Sequence, residues 1–363
     1  MKHILYGAAI SFFSGKARSY LRWKGVDFEE RTPDPAFYKE ICIPRIGRPV
    51  IPVLITPDDE TLQDTTEIID HFELKGNSYP VMTPQGGVQN LVSLLLELFA
   101  DDWLLIPAMH YRWEYDADDT IAEFGMNLAP GKSKEEQRAV GEERAKPFQG
   151  APPLLGIHPH NKKIVERLWR DLLGDLDAHF RAFPFLLGDR PCAGDFGLVG
   201  ALYAHMYRDA TAGALMRREG LAVARYVERM MHPSGEPLGD YLPDDAIPET
   251  LTPVMQRMMR EQMPVLAKTA AALATWKAGN PREEIPRFLG QHKFTLEGVE
   301  ADRVIISYVT WMHGRAKNAY DALADAVKMR ADSLLDAWGG ELFRKTAIEA
   351  PVALVNHQLE WAN

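Results

Sequence analysis

The chain has 363 residues, 46% apolar and 25% charged, with 51 acidic against 41 basic side chains and a formal net charge of −10. So apolar a chain buries too large a core to be disordered, and its length favours two or three domains. The acidic balance argues against a nucleic-acid binder or a polybasic membrane-surface protein, whose affinity comes from Lys and Arg. Two cysteines, Cys42 and Cys192, can build neither a disulfide framework nor a Cys-based zinc site, and they point to a reducing, cytoplasmic setting.

Residues 1–13 imitate a short signal segment, but Lys16, Arg18 and Arg22 follow at once without a small-x-small cleavage site. They read instead as a buried first strand, a turn and a helix. Ala17, Tyr20 and Leu21 lie at helical spacing and Gly25 stops that helix. Residues 26–31 alternate as a strand does, 33–43 predict a weaker helix, and 50–55 a strand. Pro52 belongs at that strand's start, because inside it a ladder hydrogen bond would be lost. A turn at 56–60 leads to a short returning strand, 61–63. Asp64 or Thr65 then caps a helix that runs through Leu74 and ends near Gly76.

Gly, Pro and Asn between Gly76 and Gly87 read as a linker. Beyond it strand signals vanish for most of the remaining chain. The apolar run 91–100 contains Glu97, ends at Asp101-Asp102 and is too short to span a bilayer. Leu91, Leu94, Leu95, Leu98 and Phe99 make one helical stripe; Val165, Leu168, Trp169, Leu172 and Leu176 make another. Residues 131–156 predict a short helix between loops. Helices are expected over 192–208, 222–231 and 255–277, with a Pro/Gly/Asp-rich crossing at 232–253. Near the end, 294–296 reads as a strand, 302–338 as a long helix broken at Gly314, and 352–361 as a second strand that pairs with 294–296.

Four motifs, in order, carry a resemblance. They are the strand Ile4-Leu5-Tyr6 with Ser11-Phe12-Phe13-Ser14, Lys16-Ala17-Arg18 and Leu21; then Ile51-Pro52-Val53-Leu54; then Asp64-Thr65 before Ile68-Ile69; then Phe185 to Pro191 with Asp195-Phe196. Together they resemble the glutathione transferases, with a first loop of the Ser-type, zeta-like kind, over residues 1–230. Cys192 stands where that family has a Ser/Thr helix cap, and the first loop has neither cysteine nor an activating tyrosine. The resemblance implies an α/β thioredoxin-like N-terminal domain followed by an all-α glutathione-transferase C-terminal domain. Residues 231–363 extend it as a mostly helical segment with a small two-stranded β element. The implied division is 1–76 glutathione-binding domain, 77–87 linker, 88–230 helical domain and 231–363 extension packed on the helical domain.

The resemblance also implies the chemistry. Glutathione would be the co-substrate, with no metal, and its thiolate would attack a small hydrophobic electrophile in conjugation, cleavage or isomerisation. The protein would be a homodimer without nucleic-acid or membrane partners. Ser11, and behind it Ser14, would be the catalytic hydroxyls. A donor hydroxyl plus the positive end of a helix favours the thiolate, although either serine also suits a simple helix cap. Ile51 and Pro52 would meet the cysteinyl backbone, Thr65 the γ-glutamyl carboxylate and Asp64 its ammonium. Lys39, Arg45 or Arg48 would take the glycine carboxylate, with Arg48 preferred. Phe12, Phe13, Trp103 and Tyr111 would line the electrophile pocket between domains, with Met109 and Trp113 nearby, although aromatic stripes are more often core. His110 and Glu114 are spaced i,i+4 but make a weak metal pair. Thiol–disulfide exchange is disfavoured because no Cys-x-x-Cys exists. The competing reading is a non-catalytic binding or scaffold protein of the same fold.

Overall fold

In the computed structural model, which describes residues 2–74, 80–235 and 238–362, β1 (His3–Tyr6), β2 (Phe28–Arg31), β3 (Val53–Ile55) and β4 (Thr61–Gln63) form one sheet of order β2-β1-β3-β4. β1 and β2 are parallel, joined by the first helix (Phe12–Lys24); β3 runs antiparallel to both β1 and β4. Val53 and Ile55 pack on one face against Phe37, Cys42 and Ile46, joined by Ile4 and Tyr6. By alternation Leu5 and Leu54 turn to the other face and are fully buried. With both faces covered, β3 reads as an unbroken apolar run. Pro52 precedes the strand, where no ladder bond is lost, and the Ile51–Pro52 peptide is cis. The helix Thr65–Leu74 completes a thioredoxin-like α/β arrangement. Its expected end at Gly76, and the linker residues 77–79, lie outside the described residues.

Packing groups the chain into two units. The first comprises Met1–Met82, Pro107–Pro152 and Leu198–Pro237; the second comprises Thr83–Ile106, Pro153–Gly197 and Leu238–Asn363. In the first unit, the first helix serves as a cap for another. Ser19 and Trp23 donate to the Met230 carbonyl at 2.8 and 2.9 Å, and Arg22 to that of Met231 at 2.6 Å, at the end of the helix Leu221–Met231. These are carbonyls that the helix itself leaves without partners. Glu73 is a second tie. It accepts from Tyr20 Oη and Lys24 Nζ, each at 2.9 Å, and from the Met82 N–H at 2.9 Å. The stretch expected as a short helix between loops is a full helix, Lys134–Gln149. A capping box of Ser133 and Glu136 starts it, and polar composition had hidden its periodicity.

In the second unit the helix Gly87–Leu98 is capped from far along the chain. The Asp245 carboxylate accepts the Val88 and Gln89 N–H groups at 2.9 and 2.8 Å, so residues near 245 pack on this helix. Cys192 keeps half of a capping box despite its thiol: its N–H donates to Asp195 Oδ2 at 2.9 Å. Two hairpins correct the sequence expectation for the C-terminal stretch. β5 (Phe288–Leu296) pairs with β6 (Val299–Ile306), and β7 (Val352–Val355) with β8 (Gln358–Trp361), so 294–296 does not pair with 352–361. The expected long helix is β6 followed by two helices, Tyr308–Asp321 and Asp325–Trp338. Both hairpins turn on two residues of positive φ, Glu297-Gly298 and Asn356-His357, as the right-handed twist of paired strands requires. On β6, His158 Nε2 and His160 Nε2 meet the Asp302 and Glu300 carbonyls at 3.0 and 3.1 Å. A carbonyl only accepts, so each ring carries its proton on Nε2.

Two histidines of this unit are wholly buried, His179 and His313. Burial lowers each from 6.5 to about 4, with Lys317 adding to the effect on His313. The unfolded chain then takes up protons first as pH falls, so stability present above 6.5 is lost between 6.5 and 4. The loss is on the order of 3 kcal/mol for each histidine. Urea melts at stepped pH are expected to show it, and His313→Phe to flatten part of the slope; an unchanged slope in that variant would contradict the assignment. Among the described residues no helix is long and apolar enough to cross a membrane.

Candidate functional site

The strand register brings the proposed binding residues to one end of the sheet. Tyr6 pairs with Val53, and Val53 with Gln63. One step beyond these pairs lie Gly7, Pro52 and Asp64. The loop from Gly7 to the first helix, the start of β3 and the N-terminus of the helix Thr65–Leu74 therefore share an edge. Two helix N-termini lie there, each a region of partial positive charge.

Ser11 is the N-cap of the first helix, and its Oγ accepts the Ser14 N–H at 3.3 Å. It is half-buried, and its hydroxyl hydrogen is not used by that bond. Ser14 is fully buried, and its Oγ accepts the Ala8 N–H at 3.3 Å. A side chain at Gly7 would meet Ser14 Oγ and Glu30 Oε1 at 3.1 Å, so glycine allows this close approach. Phe12 is buried against Phe13 and His205, with ring centres 4.8 and 5.8 Å apart.

Asp64 has a left-handed backbone, φ 82°, a conformation that costs a non-glycine residue of order 1–3 kcal/mol. Its carboxylate accepts the Thr66 N–H at 2.8 Å, and Thr65 is buried at the helix start. Arg48 reaches the same edge and donates to Gln63 Oε1 at 2.8 Å. Arg45 grips Asp59, and Lys39 is exposed. Cys42 is buried, and burial pushes its thiol up, away from the reactive thiolate.

Of the expected pocket residues, Tyr111 shares the first unit and packs beside His110 and Tyr115. Trp103 belongs to the second unit and is 4% exposed. Its ring lies edge-on to Phe294 at 6.0 Å, under the Arg303 guanidinium at 5.2 Å, and its Nε1 donates to Glu261 at 3.3 Å. Among the described residues no group of three His, Cys, Asp or Glu could hold a metal ion.

The sequence motifs give Lys16 no role at the site, yet it is fully buried with Nζ 3.1 Å from Thr66 Oγ1. Its place four residues before Tyr20, on the buried face, was the available signal. The motifs give no role to Arg112 either, whose partners are remote in sequence.

Residues 5–78 match the family model described as Glutathione S-transferase, N-terminal domain. No curated protein matches. Among solved structures, the chain is similar to the beta-etherase LigF from Sphingobium sp. strain SYK-6 (15% identity, TM-score 0.47, covering 64% of this chain and 96% of that one). It is similar to a GST-like protein from Pseudomonas syringae (19%, TM-score 0.43, 64% and 66%). It is also similar to rice GST1 in complex with glutathione (17%, TM-score 0.39, 63% and 87%).

Proposed function

We propose that the chain binds glutathione at this sheet edge and uses its thiolate on a small hydrophobic electrophile. The carrying observation is the register that aligns Ser11's loop, Pro52 and Asp64 within the segment that matches the family model. In this reading the Ile51 main chain pairs with the cysteinyl backbone beside Pro52. Thr65 and the helix N-terminus take the γ-glutamyl carboxylate, Asp64 its ammonium and Arg48 the glycine carboxylate. Ser11 donates its hydroxyl hydrogen to the sulfur, which lowers the thiol's pKa as its proton leaves to solvent. The thiolate sulfur then forms a bond to the electrophilic carbon as the bond from that carbon to its leaving group breaks, and the leaving group departs to solvent with the electron pair. Ser14 supports the loop because it is fully buried, whereas Ser11 is half-buried. Phe12, Phe13 and Tyr111 supply apolar lining, and Trp103 is assigned there only by the sequence pattern. Homodimer assembly, a cytoplasmic setting and the division at 76, 87 and 230 belong to the same proposal.

Calorimetry is expected to give a glutathione Kd between about 1 μM and 1 mM, roughly −8 to −4 kcal/mol. Asp64→Ala should weaken it at least tenfold, because the ammonium loses its only carboxylate in this reading. Absence of heat and of any thermal shift at millimolar glutathione would overturn the proposal and favour the non-catalytic binding protein.

A further inference from the structure

Arg112, on the helix Leu105–Tyr115, is 4% exposed and joins three segments of the first unit. Its Nη1 donates to the Ile10 carbonyl at 2.9 Å, the peptide that leads into Ser11. Its Nη2 donates to the Ala204 carbonyl at 2.7 Å, and Nε and Nη2 grip the Asp209 carboxylate at 2.7 and 2.9 Å. Ala204 is free to accept because the helix is π-wound over Leu202–Tyr207: the Arg208 N–H bonds the Tyr203 carbonyl at 3.1 Å, one residue further back.

The Ile10–Ser11 peptide is held at both of its polar groups, at the carbonyl by Arg112 and at the amide by Ala8. Gly7 N–H is held by the Arg31 carbonyl at 3.0 Å, Ser11 N–H by that of Ala8 at 3.1 Å, and Ala8 N–H by Ser14. These bonds fix the amides of the turn, whereas Arg112 holds the Ile10 carbonyl. Rotation of the Ile10–Ser11 peptide would swing the Ser11 Cα–Cβ bond and carry the hydroxyl away. A guanidinium gripped in a fork by a buried carboxylate is a rigid stop against that rotation. The pair is neutral overall, so its effect is one of position.

We propose that Arg112, oriented by Asp209, is a positioning residue that fixes the Ser11 hydroxyl through the Ile10 carbonyl. The inference rests on the proposed use of Ser11, and two measurements separate its failure from failure of that reading. Lysine at 112 keeps the charge but cannot hold three partners at fixed angles, and Asp209→Asn is the milder second variant. Titration of the bound thiol by its thiolate absorbance is expected to shift upward by about one pH unit in Arg112→Lys, a tenfold fall in the thiol's acid dissociation constant. The glutathione Kd should stay within about threefold, because the carboxylate and backbone contacts are untouched. An unshifted midpoint in both variants would overturn the proposal, since a merely structural role lowers melting temperature alone. Should the unaltered chain bind no glutathione, amide exchange decides. Exchange at Ser11 about tenfold faster in Arg112→Lys, with Leu54 in β3 unchanged, supports the stop. Equal exchange at Ser11 overturns it.

Discussion

Ser11→Ala is expected to lower turnover on an activated aromatic electrophile by about ten- to a thousandfold, with glutathione affinity nearly unchanged. In the proposed reading the hydroxyl donates to developing thiolate and meets the neutral thiol weakly, so its loss would fall on the reaction and spare ground-state binding. The same substitution removes the oxygen that accepts the Ser14 N–H. Loss of that cap costs about 1 kcal/mol of stability, too little to unfold a domain. Ser11→Thr keeps both roles and should recover most of the activity. Steady-state kinetics with calorimetry on the three proteins separates the effects. If Ser14→Ala were the damaging change and Ser11→Ala silent, the hydroxyl assignment would be reversed.

The largest stability effect is expected at Glu73. Its carboxylate serves Tyr20, Lys24 and the Met82 N–H. The Lys24 and Glu73 side chains are only 2% and 6% exposed. Glu73→Ala leaves a buried ammonium with the Pro80 carbonyl, 2.8 Å away, as its named partner. Breaking one side of such a pair costs about 3–5 kcal/mol, whereas replacing both sides with apolar groups is often neutral. Urea unfolding should therefore show a large drop for Glu73→Ala and substantial recovery for the double variant Lys24→Met/Glu73→Leu. A single-variant loss below about 1 kcal/mol would mean that solvent reaches the pair.

The legible parts of this chain are those in which local pattern and tertiary role agree. The alternation of strand and helix through residue 74, and the place of Pro52 before its strand, follow from short-range rules. Short-range rules failed at the C-terminal hairpins because their turns use Glu-Gly and Asn-His in place of the usual Asn-Gly. Asp302 and Arg303 also gave β6 the charge of a surface helix. At the candidate site, Ser11, Pro52 and Asp64 carry local signatures of a cap, a turn and a helix start. Arg112 carries none: it meets Ile10, Ala204 and Asp209 only after the chain has folded, and no periodicity marks it. Lys16 lies between, since its helical face marked it as buried but its charge argued for solvent.

The imidazoles against β6 bear on how that strand's open edge is blunted. A strand at a sheet edge offers its carbonyls to any passing chain, and natural proteins blunt such edges. Here His158 and His160 occupy the Asp302 and Glu300 carbonyls with ring N–H groups, doing with side chains what a third strand would do with amides. Removal of the His-Pro-His loop is therefore expected to promote self-association in concentrated solution, which light scattering would detect. Trimming that loop would leave the Asp302 and Glu300 carbonyls open to another strand's amides.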